Sequence, residues 1–272
     1  NWDYVDDELM GLKTVEPHIT LYVHENAQGA ETLAAIRGLV GGYKANNSDG
    51  YYGNIRIELA NVKEEDWANN WKKYYKPFRV GKSLIIKPSW EDVEPKDGDR
   101  ILEIDPASAF GTGQHHTTKM VMEMLEDVIS GGERVLDLGC GSGILSIAAL
   151  LLGAREVAIC DIFENAVKTA AENIEKNKFT SFNAYCGNII EDKALREKIG
   201  GGYDVICANI VADVIIAMSP LFEEFLNDGG KLMVSGVIDE RVDEVTAALS
   251  ENGWKVVNAK NEEGWNCILL EG

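Results

Sequence analysis

The stretch Arg134-Val-Leu-Asp-Leu-Gly139-Cys-Gly-Ser-Gly143-Ile-Leu-Ser-Ile-Ala-Ala-Leu-Leu-Leu152 determines the fold class. Its first five residues form a short apolar run typical of a buried strand, and three glycines follow at alternate positions. The run Ile144–Leu152 predicts a helix. Strand, glycine-rich turn and helix in this order begin a βαβ unit, in which a ligand lies against the turn.

Strands and helices continue to alternate after this stretch. The predicted strands are Glu156–Asp161, Asn183–Cys186, Tyr203–Ala208 and Lys231–Gly236, and the predicted helices are Glu164–Asn177, Val214–Leu226 and Glu240–Asn252. Such alternation predicts an α/β fold with a parallel sheet covered on both faces. Two final strands, Trp254–Lys260 and Trp265–Leu270, flank the turn Asn261–Gly264 and predict an antiparallel hairpin. A Rossmann-like sheet that ends in such a hairpin is typical of class I methyltransferases.

The residues before this sheet have a different pattern. Strand patterns at His18–Glu25 and Asn54–Val62, with helix patterns at Ala30–Val40 and Glu64–Tyr75, predict a small α+β domain. Three prolines and a strand-like Lys82–Lys87 follow between the helix and residue 100. We therefore predict three parts: an α+β domain at 1–76, a linker at 77–100 and the sheet domain at 101–272.

The composition narrows the function classes. The 272 residues carry a formal net charge of -19, which argues against a nucleic-acid binder because phosphate contacts need a basic surface. The charge suits a basic protein or a cationic small molecule, although it is also common in acidic cytosolic proteins. No apolar run reaches the roughly 20 residues of a spanning helix, and no secretory signal is evident, so we expect a cytoplasmic protein without a membrane partner.

The five cysteines are best interpreted as free thiols in a reducing compartment. They lie singly, without the paired spacing of a zinc site, at Cys140, Cys160, Cys186, Cys207 and Cys267.

The glycine turn differs from a dinucleotide fingerprint. That fingerprint needs glycine or alanine at position 144 if Gly139 is its first glycine, but position 144 is Ile. Asp137 precedes the turn; its carboxylate would repel phosphate and attract, directly or through water, the ammonium of a cofactor that carries an amino acid. Asp161 ends the next strand, where an acid can accept hydrogen bonds from ribose hydroxyls. Together with Gly141 and Gly143, these residues predict an S-adenosylmethionine site. An alternative role for Asp161 is a helix cap.

Asn209 is the candidate catalytic residue. It closes the strand before Ile210 and presents an amide that can accept a substrate N–H and so orient an amine nitrogen toward the methyl donor. The alternative is an N-cap, but the next helix is expected to begin several residues later, near Asp213.

The segment Asp105–Thr118 is rich in small and polar residues. Phe110 and Gly111 lie in a loop that could close over the cofactor. Thr117 and Thr118 fall where a helix begins, and their residue type alone favours capping over ligand binding. The adjacent His115 and His116 lack the spacing and companions of a metal site, so no metal is expected.

With these segments the chain resembles the ribosomal protein L11 methyltransferase family. The matching stretches are Glu65–Trp71, Pro77–Trp90, Asp105–Thr118, Leu136–Leu145, Asp161, Ala208–Ile210 and Ser235–Val237. The resemblance implies methylation of the N-terminal amine and certain lysines of ribosomal protein L11, with a small ferredoxin-like N-terminal domain that recognises this substrate. It also implies that Thr118, Gly139, Asp161 and Asn209 contact S-adenosylmethionine, which changes the expectation for Thr118 from cap to ligand.

Some expectations remain open at this point. The family's N-terminal domain opens with a strand–helix–strand unit before the segment that begins here at Asn1, so we expect a truncated recognition domain. We also expect a monomer that makes no direct contact with nucleic acid. The alternatives are a lysine methyltransferase with a different acceptor and a non-catalytic docking protein that retains the fold. A nicotinamide oxidoreductase is disfavoured by Ile144 and the terminal hairpin.

Overall fold

The structure, a computed structural model, describes residues 27–47, 55–57, 75–105 and 113–272. By internal contacts the chain divides into two compact units, Asn1–Ala68 and Asn69–Gly272. The predicted division at 76 and 100 stays a prediction.

The first unit is described only in part. Helix α1 spans Ala27–Ala45, so it extends the predicted helix Ala30–Val40 at both ends. The other predicted elements of this unit lie outside the described residues, wholly at His18–Glu25 and for the most part at Asn54–Val62 and Glu64–Tyr75. The α+β character of this unit therefore stays a prediction.

The described part of the second unit contains ten strands and six helices. The strands are β1 Phe78–Val80, β2 Leu84–Lys87, β3 Arg100–Glu103, β4 Arg134–Leu138, β5 Glu156–Asp161, β6 Phe182–Cys186, β7 Tyr203–Asn209, β8 Leu226–Ile238, β9 Lys255–Glu262 and β10 Trp265–Glu271. The helices are α2 His116–Val128, α3 Ile144–Leu152, α4 Glu164–Lys176, α5 Lys193–Ile199, α6 Ala212–Met218 and α7 Val242–Glu251. Short 3-10 helices lie at Phe222–Glu224 and Asp239–Arg241.

Seven of these strands form one sheet in the order β6-β5-β4-β7-β8-β10-β9. The first five are parallel, and β10 pairs antiparallel with both β8 and β9. The predicted α/β class and the terminal hairpin are confirmed. Strand order reverses between β4 and β7, and ligands of doubly wound sheets bind at such a switch point.

Alternating side chains of the central strands bury both faces of this sheet. Val135 of β4 and Ile159 of β5 pack in a core with α2, α3 and α4. Leu136 and Cys160, one position along each strand, pack in a second core with α5, α6 and α7. Because both faces are covered, the strands are apolar at nearly every position, which is why they were readable from the sequence.

The terminal hairpin reverses the chain direction in a two-residue turn. Glu263 and Gly264 connect β9 to β10 with φ values of 50° and 78°. Two successive residues with positive φ form the two-residue turn whose twist suits a hairpin. Strand β10 is buried inside the sheet, while β9 is its exposed edge.

The segment 77–100 is part of the second unit and packs against helix α2. Strands β1, β2 and β3 form a small sheet, and Val80, Leu84 and Ile86 are buried in the core that contains α2. The carboxylate of Glu126 in α2 accepts the backbone N–H groups of Lys82 and Ser83, which fixes the turn between β1 and β2.

Two predicted elements differ from the structure. The helix predicted at Val214–Leu226 ends at Met218, because Pro220 has no N–H with which to continue the helical hydrogen bonds. Strand β8 then begins at Leu226 and runs to Ile238, longer at both ends than predicted. Helix α5 was not predicted, although Asp192 caps it by accepting the N–H of Leu195.

All five cysteines are free thiols. Cys186 is exposed, and the other four are buried. Burial raises the pKa of Cys160 to about 12, so this thiol stays protonated at neutral pH.

Candidate active site

A cavity of about 690 Å³ opens at the carboxyl ends of β4, β5, β6 and β7. Its lining comprises Leu138, Gly139, Gly141, Cys160, Asp161, Ile162, Phe163, Asn165, Ala166, Gly187, Asn188, Ile189, Ile190, Ile210, Val211, Val214 and Met218. The cavity lies at the topological switch point between β4 and β7. Its volume lies within the range of small-molecule sites.

The glycine turn forms one wall of this cavity, and its backbone accepts only glycine at two positions. Gly139 has φ 74°, and a Cβ atom on it would lie 2.3 Å from Cγ2 of Ile210. Gly143 has φ 78° and begins α3; a Cβ atom there would lie 2.9 Å from Cβ of Ala170. The turn is thus a close-packed cradle whose shape depends on missing side chains.

The backbone donors of the turn are used within the protein. Gly139 and Cys140 both donate N–H groups to the carbonyl of Cys160, at 2.8 and 3.2 Å. Gly143 donates to the carbonyl of Cys140 at 2.7 Å. A phosphate-binding turn points such N–H groups at its ligand. The N–H groups of Gly139, Cys140 and Gly143 instead bind backbone carbonyls of the protein.

Asp161 closes the turn from the neighbouring strand. Its Oδ2 accepts the N–H of Gly141 at 3.1 Å, and its Oδ1 accepts the N–H of Phe163 at 3.0 Å. Phe163 occupies the N-cap position of α4, so Asp161 supports the helix start and lines the cavity at once. Each oxygen keeps a further lone pair, which leaves the carboxylate able to accept hydroxyl hydrogens from a ligand.

Asp137 lies buried beneath the turn, only 1% exposed. Its Oδ2 accepts the hydroxyl of Ser146 at 2.7 Å, whereas its Oδ1 is buried and has no hydrogen-bond partner among the described residues. Burial raises the pKa of this carboxyl to about 6, against the smaller opposing effect of the Ser146 hydrogen bond. An orphaned buried acceptor is costly. It would gain from a water or cationic donor, such as the ammonium group of S-adenosylmethionine.

Asn209 ends β7 at the reversal of strand order. Its Nδ2 donates to Oγ1 of Thr118 at 3.3 Å, which leaves Oδ1 as the acceptor of the amide. Helix α6 begins at Ala212 with Val211 in the cap position, so the N-cap alternative for Asn209 is wrong. The structure thus joins Asn209 to Thr118 beside Ile210, a residue of the cavity wall.

The first turn of α2 shows how Thr118 is held. The N-cap is His115, whose side chain accepts the N–H of Thr117, and both threonines are buried. The capping role expected from the residue type of Thr117 and Thr118 therefore falls to His115. Phe110 and Gly111, predicted to cover the cofactor, lie outside the described residues.

The structure adds cavity residues that the sequence analysis missed. Ile162, Phe163 and Val211 line the cavity yet are 59%, 67% and 63% exposed. Gly187 and Asn188 line it directly after β6. The available signal was positional, because residues that follow parallel strands share one edge of the sheet. Exposed apolar side chains around a cavity favour a ligand with an apolar part.

Comparison with known proteins points to one family. The profile described as "Ribosomal protein L11 methyltransferase (PrmA)" matches residues 3–271. A protein named ribosomal protein L11 methyltransferase from Caldanaerobacter subterraneus subsp. tengcongensis is 38% identical over 270 residues, covering 99% of this chain and 84% of the relative. One with the same name from Clostridium botulinum (strain Eklund 17B / Type B) is 42% identical over 215 residues, covering 79% and 67%.

A solved structure agrees with these relatives. The crystal structure of ribosomal protein L11 methylase from Lactobacillus delbrueckii subsp. bulgaricus superimposes with a TM-score of 0.66 at 29% identity. The match covers 72% of this chain and 98% of that one.

Proposed function

The chain belongs to the ribosomal protein L11 methyltransferase family, and from this membership we propose that it transfers methyl groups from S-adenosylmethionine to amine nitrogens of ribosomal protein L11. The N-terminal amine and lysine side chains are the proposed acceptors. Membership makes it an S-adenosylmethionine-dependent protein methyltransferase.

One arrangement supports this proposal most directly: a glycine turn held by Asp161 stands at the same sheet edge as the amide of Asn209. The first of these features suits the methyl donor, and the second suits a nitrogen acceptor. A binding protein that had lost catalysis would need the turn but not an acceptor amide beside it.

Gly139, Gly141 and Asp161 line the cavity, and with the predicted residues outside its lining they have the chemistry to hold S-adenosylmethionine. Asp161 would accept the ribose hydroxyls, and Oδ1 of Asp137 would accept from the ammonium group, directly or through water. Gly139, Gly141 and Gly143 would let the ligand lie against the main chain. Phe110, Gly111 and Thr118 complete the proposed set of cofactor contacts. When bound, the cofactor supplies an electrophilic methyl group.

Asn209 would orient the acceptor. Its Oδ1 can accept one N–H of the amine, which directs the nitrogen lone pair away from the amide and toward the methyl donor. The hydrogen bond from Nδ2 to Thr118 fixes the amide plane and so fixes the direction of that acceptor. Orientation of this kind can contribute several kcal/mol to the rate, on the order of a hundredfold or more.

The amine must lose a proton before it attacks, and water suffices as the base. A lysine amine with a pKa near 10.4 is neutral in about one molecule in 2500 at pH 7, while an α-amine near 7.7 is neutral in about one in six. Desolvation in the site raises the neutral fraction of both. Several methylation sites with different amines are therefore compatible with one active site.

The partner proposals follow from charge. A net charge of -19 steers a cationic protein toward the site and opposes contact with nucleic acid. Among the described residues, no helix combines the length and apolar character that crossing a bilayer requires. We further propose that the chain acts in the cytoplasm, as a monomer and without a membrane partner.

Incubation with S-adenosylmethionine labelled in its methyl group and total ribosomal proteins tests the function, with mass spectrometry of each labelled protein. We expect label on unmethylated L11, and none on L11 whose amines have been acetylated. Label confined to another ribosomal protein would replace L11 as the acceptor. Cofactor binding without any transfer would contradict catalysis. Titration calorimetry that showed NADH binding and no S-adenosylmethionine binding would overturn the cofactor.

A further inference from the structure

His115 is the N-cap of helix α2, three residues before Thr118. Its backbone is extended, with φ -66° and ψ 140°, and its side chain accepts the N–H of Thr117. The ring Nδ1 lies 3.4 Å from that N and 2.8 Å from Oγ1 of the same threonine. In the tautomer that carries its proton on Nε2, Nδ1 accepts both the backbone N–H and the hydroxyl of Thr117. The imidazole thus performs the capping that serine, threonine, asparagine or aspartate performs in most helices.

The sheet holds the same helix start from a second side. The ring of His115 packs edge-on against Trp265 of β10, with centroids 4.9 Å apart. The buried hydroxyl of Ser235 in β8 lies 3.3 Å from the carbonyl of Thr117 and 3.0 Å from that of Asn266. Ser235 is also the register partner of Asn209 across β7 and β8. The start of α2 and the strand that carries Asn209 therefore share one set of contacts.

These contacts indicate a role for His115 near the methyl-transfer site. We propose that His115 is a positioning residue of the methyl-transfer site: by capping α2 it holds the Thr118 hydroxyl where it meets the amide of Asn209. This inference rests on the proposed function. His115 acts through Thr118, because its side chain accepts the N–H of Thr117 at the start of α2 and its ring packs on Trp265.

The physical reason is the geometry of a first helical turn. The N–H groups of that turn lack helical partners, and loss of the cap lets the turn fray. Thr118 lies in this turn, so fraying displaces its hydroxyl from Nδ2 of Asn209. The amide is then free to rotate, and Oδ1 loses its fixed direction. Displacements of about 1 Å can reduce turnover about a hundredfold.

Substitutions can separate the capping nitrogen from the packing ring. His115→Asn keeps a side-chain acceptor suited to an N-cap and removes the ring. His115→Phe keeps an aromatic ring against Trp265 and removes the acceptor. His115→Ala removes both. His116→Ala is the matched control, because the Nδ1 of this adjacent ring lies 3.0 Å from Oε1 of Glu262 and takes no part in the cap.

Each variant of the 272-residue chain is assayed for S-adenosylmethionine affinity by calorimetry and for kcat and KM with recombinant L11, after circular dichroism has confirmed folding. We expect His115→Ala and His115→Phe to lose roughly ten- to a hundredfold in kcat, with KM for L11 nearly unchanged. His115→Asn should retain kcat within about threefold, and His116→Ala should match the unmodified chain. Retention by the Phe variant together with loss by the Asn variant would overturn the proposal, since packing alone would then explain His115.

A double-mutant cycle tests whether His115 acts through Thr118. Thr118→Val removes the hydroxyl at nearly constant shape, so adding His115→Ala to it should cost less than about threefold further in kcat. Full additivity of the two losses would contradict the proposal. If the unmodified chain transfers no methyl to L11, the proposed function fails on that result alone. In that case the same double-mutant cycle is measured as dissociation constants of S-adenosylmethionine. Additive losses of affinity in the two single variants would then overturn the inference about His115.

Discussion

The side chains of Asn209 and Thr118, 91 residues apart in sequence, meet through a hydrogen bond of 3.3 Å from Nδ2 to Oγ1. One residue ends a strand of the parallel sheet, and the other lies in the first turn of a helix that packs across it. The bond settles which end of the amide is available as an acceptor. Thr118 thus contacts Asn209 from a helix start whose cap is a histidine.

Asn209→Ala should mainly reduce turnover. The change removes the acceptor that orients the amine and leaves the glycine turn and Asp161 in place, so we expect kcat to fall roughly ten- to a hundredfold. The dissociation constant of S-adenosylmethionine should change by less than about fivefold. Steady-state kinetics with labelled cofactor and calorimetry measure the two quantities.

Asn183→Ala is a suitable control for this change, because Asn183 is exposed on β6 and donates to Glu156, away from the cavity. It should leave both quantities unchanged. Unaltered methyl transfer by Asn209→Ala would show that the assigned role is wrong.

Asp161→Ala should mainly weaken cofactor binding. The carboxylate holds the N–H of Gly141, so its removal loosens the glycine turn as well as deleting the proposed acceptor for ribose hydroxyls. The loss of one or two hydrogen bonds to a charged group corresponds to about ten- to a hundredfold in the dissociation constant. Calorimetry with S-adenosylmethionine gives this value directly.

Asp192→Ala separates this effect from loss of a helix cap. Asp192 caps α5 by accepting the N–H of Leu195 at 2.9 Å. Its replacement should lower the free energy of unfolding by about 1 kcal/mol and leave cofactor affinity intact. Equal losses of affinity in the two variants would mean that Asp161 acts only through the start of α4.

Gly143→Ala should destabilise the fold and abolish cofactor binding. The new Cβ would lie 2.9 Å from Cβ and 3.0 Å from Cα of Ala170, and φ is 78°. Because one neighbour is backbone, α4 must move, and we expect the free energy of unfolding to fall by about 2 to 3 kcal/mol. Gly98→Ala is matched in φ, 85°, but has nothing within 4 Å, so it should cost only about 1 kcal/mol. Urea unfolding of both variants separates backbone strain, which both share, from the steric clash with Ala170, which only Gly143→Ala has. Similar losses in the free energy of unfolding would contradict the close packing at Gly143.

The central sheet was readable from the sequence because burial on both faces leaves little ambiguity. Strands β4 and β5 and helix α3 have the predicted bounds. The end of helix α6 at Met218 was not predicted. The apolar pattern continues across Pro220, whereas the helical hydrogen bonds of the backbone do not. Helix α5 was missed although Asp192 and Gly200 mark its two ends, since it is only seven residues long.

The candidate site divides in the same way. Gly139, Gly141 and Asp161 were predicted to share one sheet edge, and they line one cavity, because the carboxyl ends of parallel strands meet there. The contact of Thr118 with Asn209 depends on how α2 packs over β7 and β8, which local pattern does not determine. The cap at His115 was missed for a simpler reason: histidine is not among the residue types that usually cap helices.

Asp137→Asn should change how stability depends on pH. In the folded chain the pKa of Asp137 is about 6, compared with an ordinary value of 3.8, so the folded form binds an extra proton between about pH 4 and pH 6. The free energy of unfolding therefore falls as pH rises through this window, by up to about 3 kcal/mol. The Asn variant has no proton to lose. Its stability relative to the unmodified chain should rise by a similar amount between pH 4 and pH 7, as measured by urea unfolding without cofactor.

Asp228→Asn is the control, since this aspartate is exposed and lies outside the cavity lining. The affinity for the cofactor should depend on pH in the opposite direction to the stability of the unmodified chain. A cationic group beside Oδ1 favours the carboxylate, so S-adenosylmethionine should bind the unmodified chain more tightly as pH rises through 6, because binding then requires no proton release. The Asn variant should lack this dependence. If the two chains showed the same pH profile of affinity, the orphaned oxygen of Asp137 would not face the ammonium group of the cofactor, and its burial would have to be explained by the hydrogen bond to Ser146 alone.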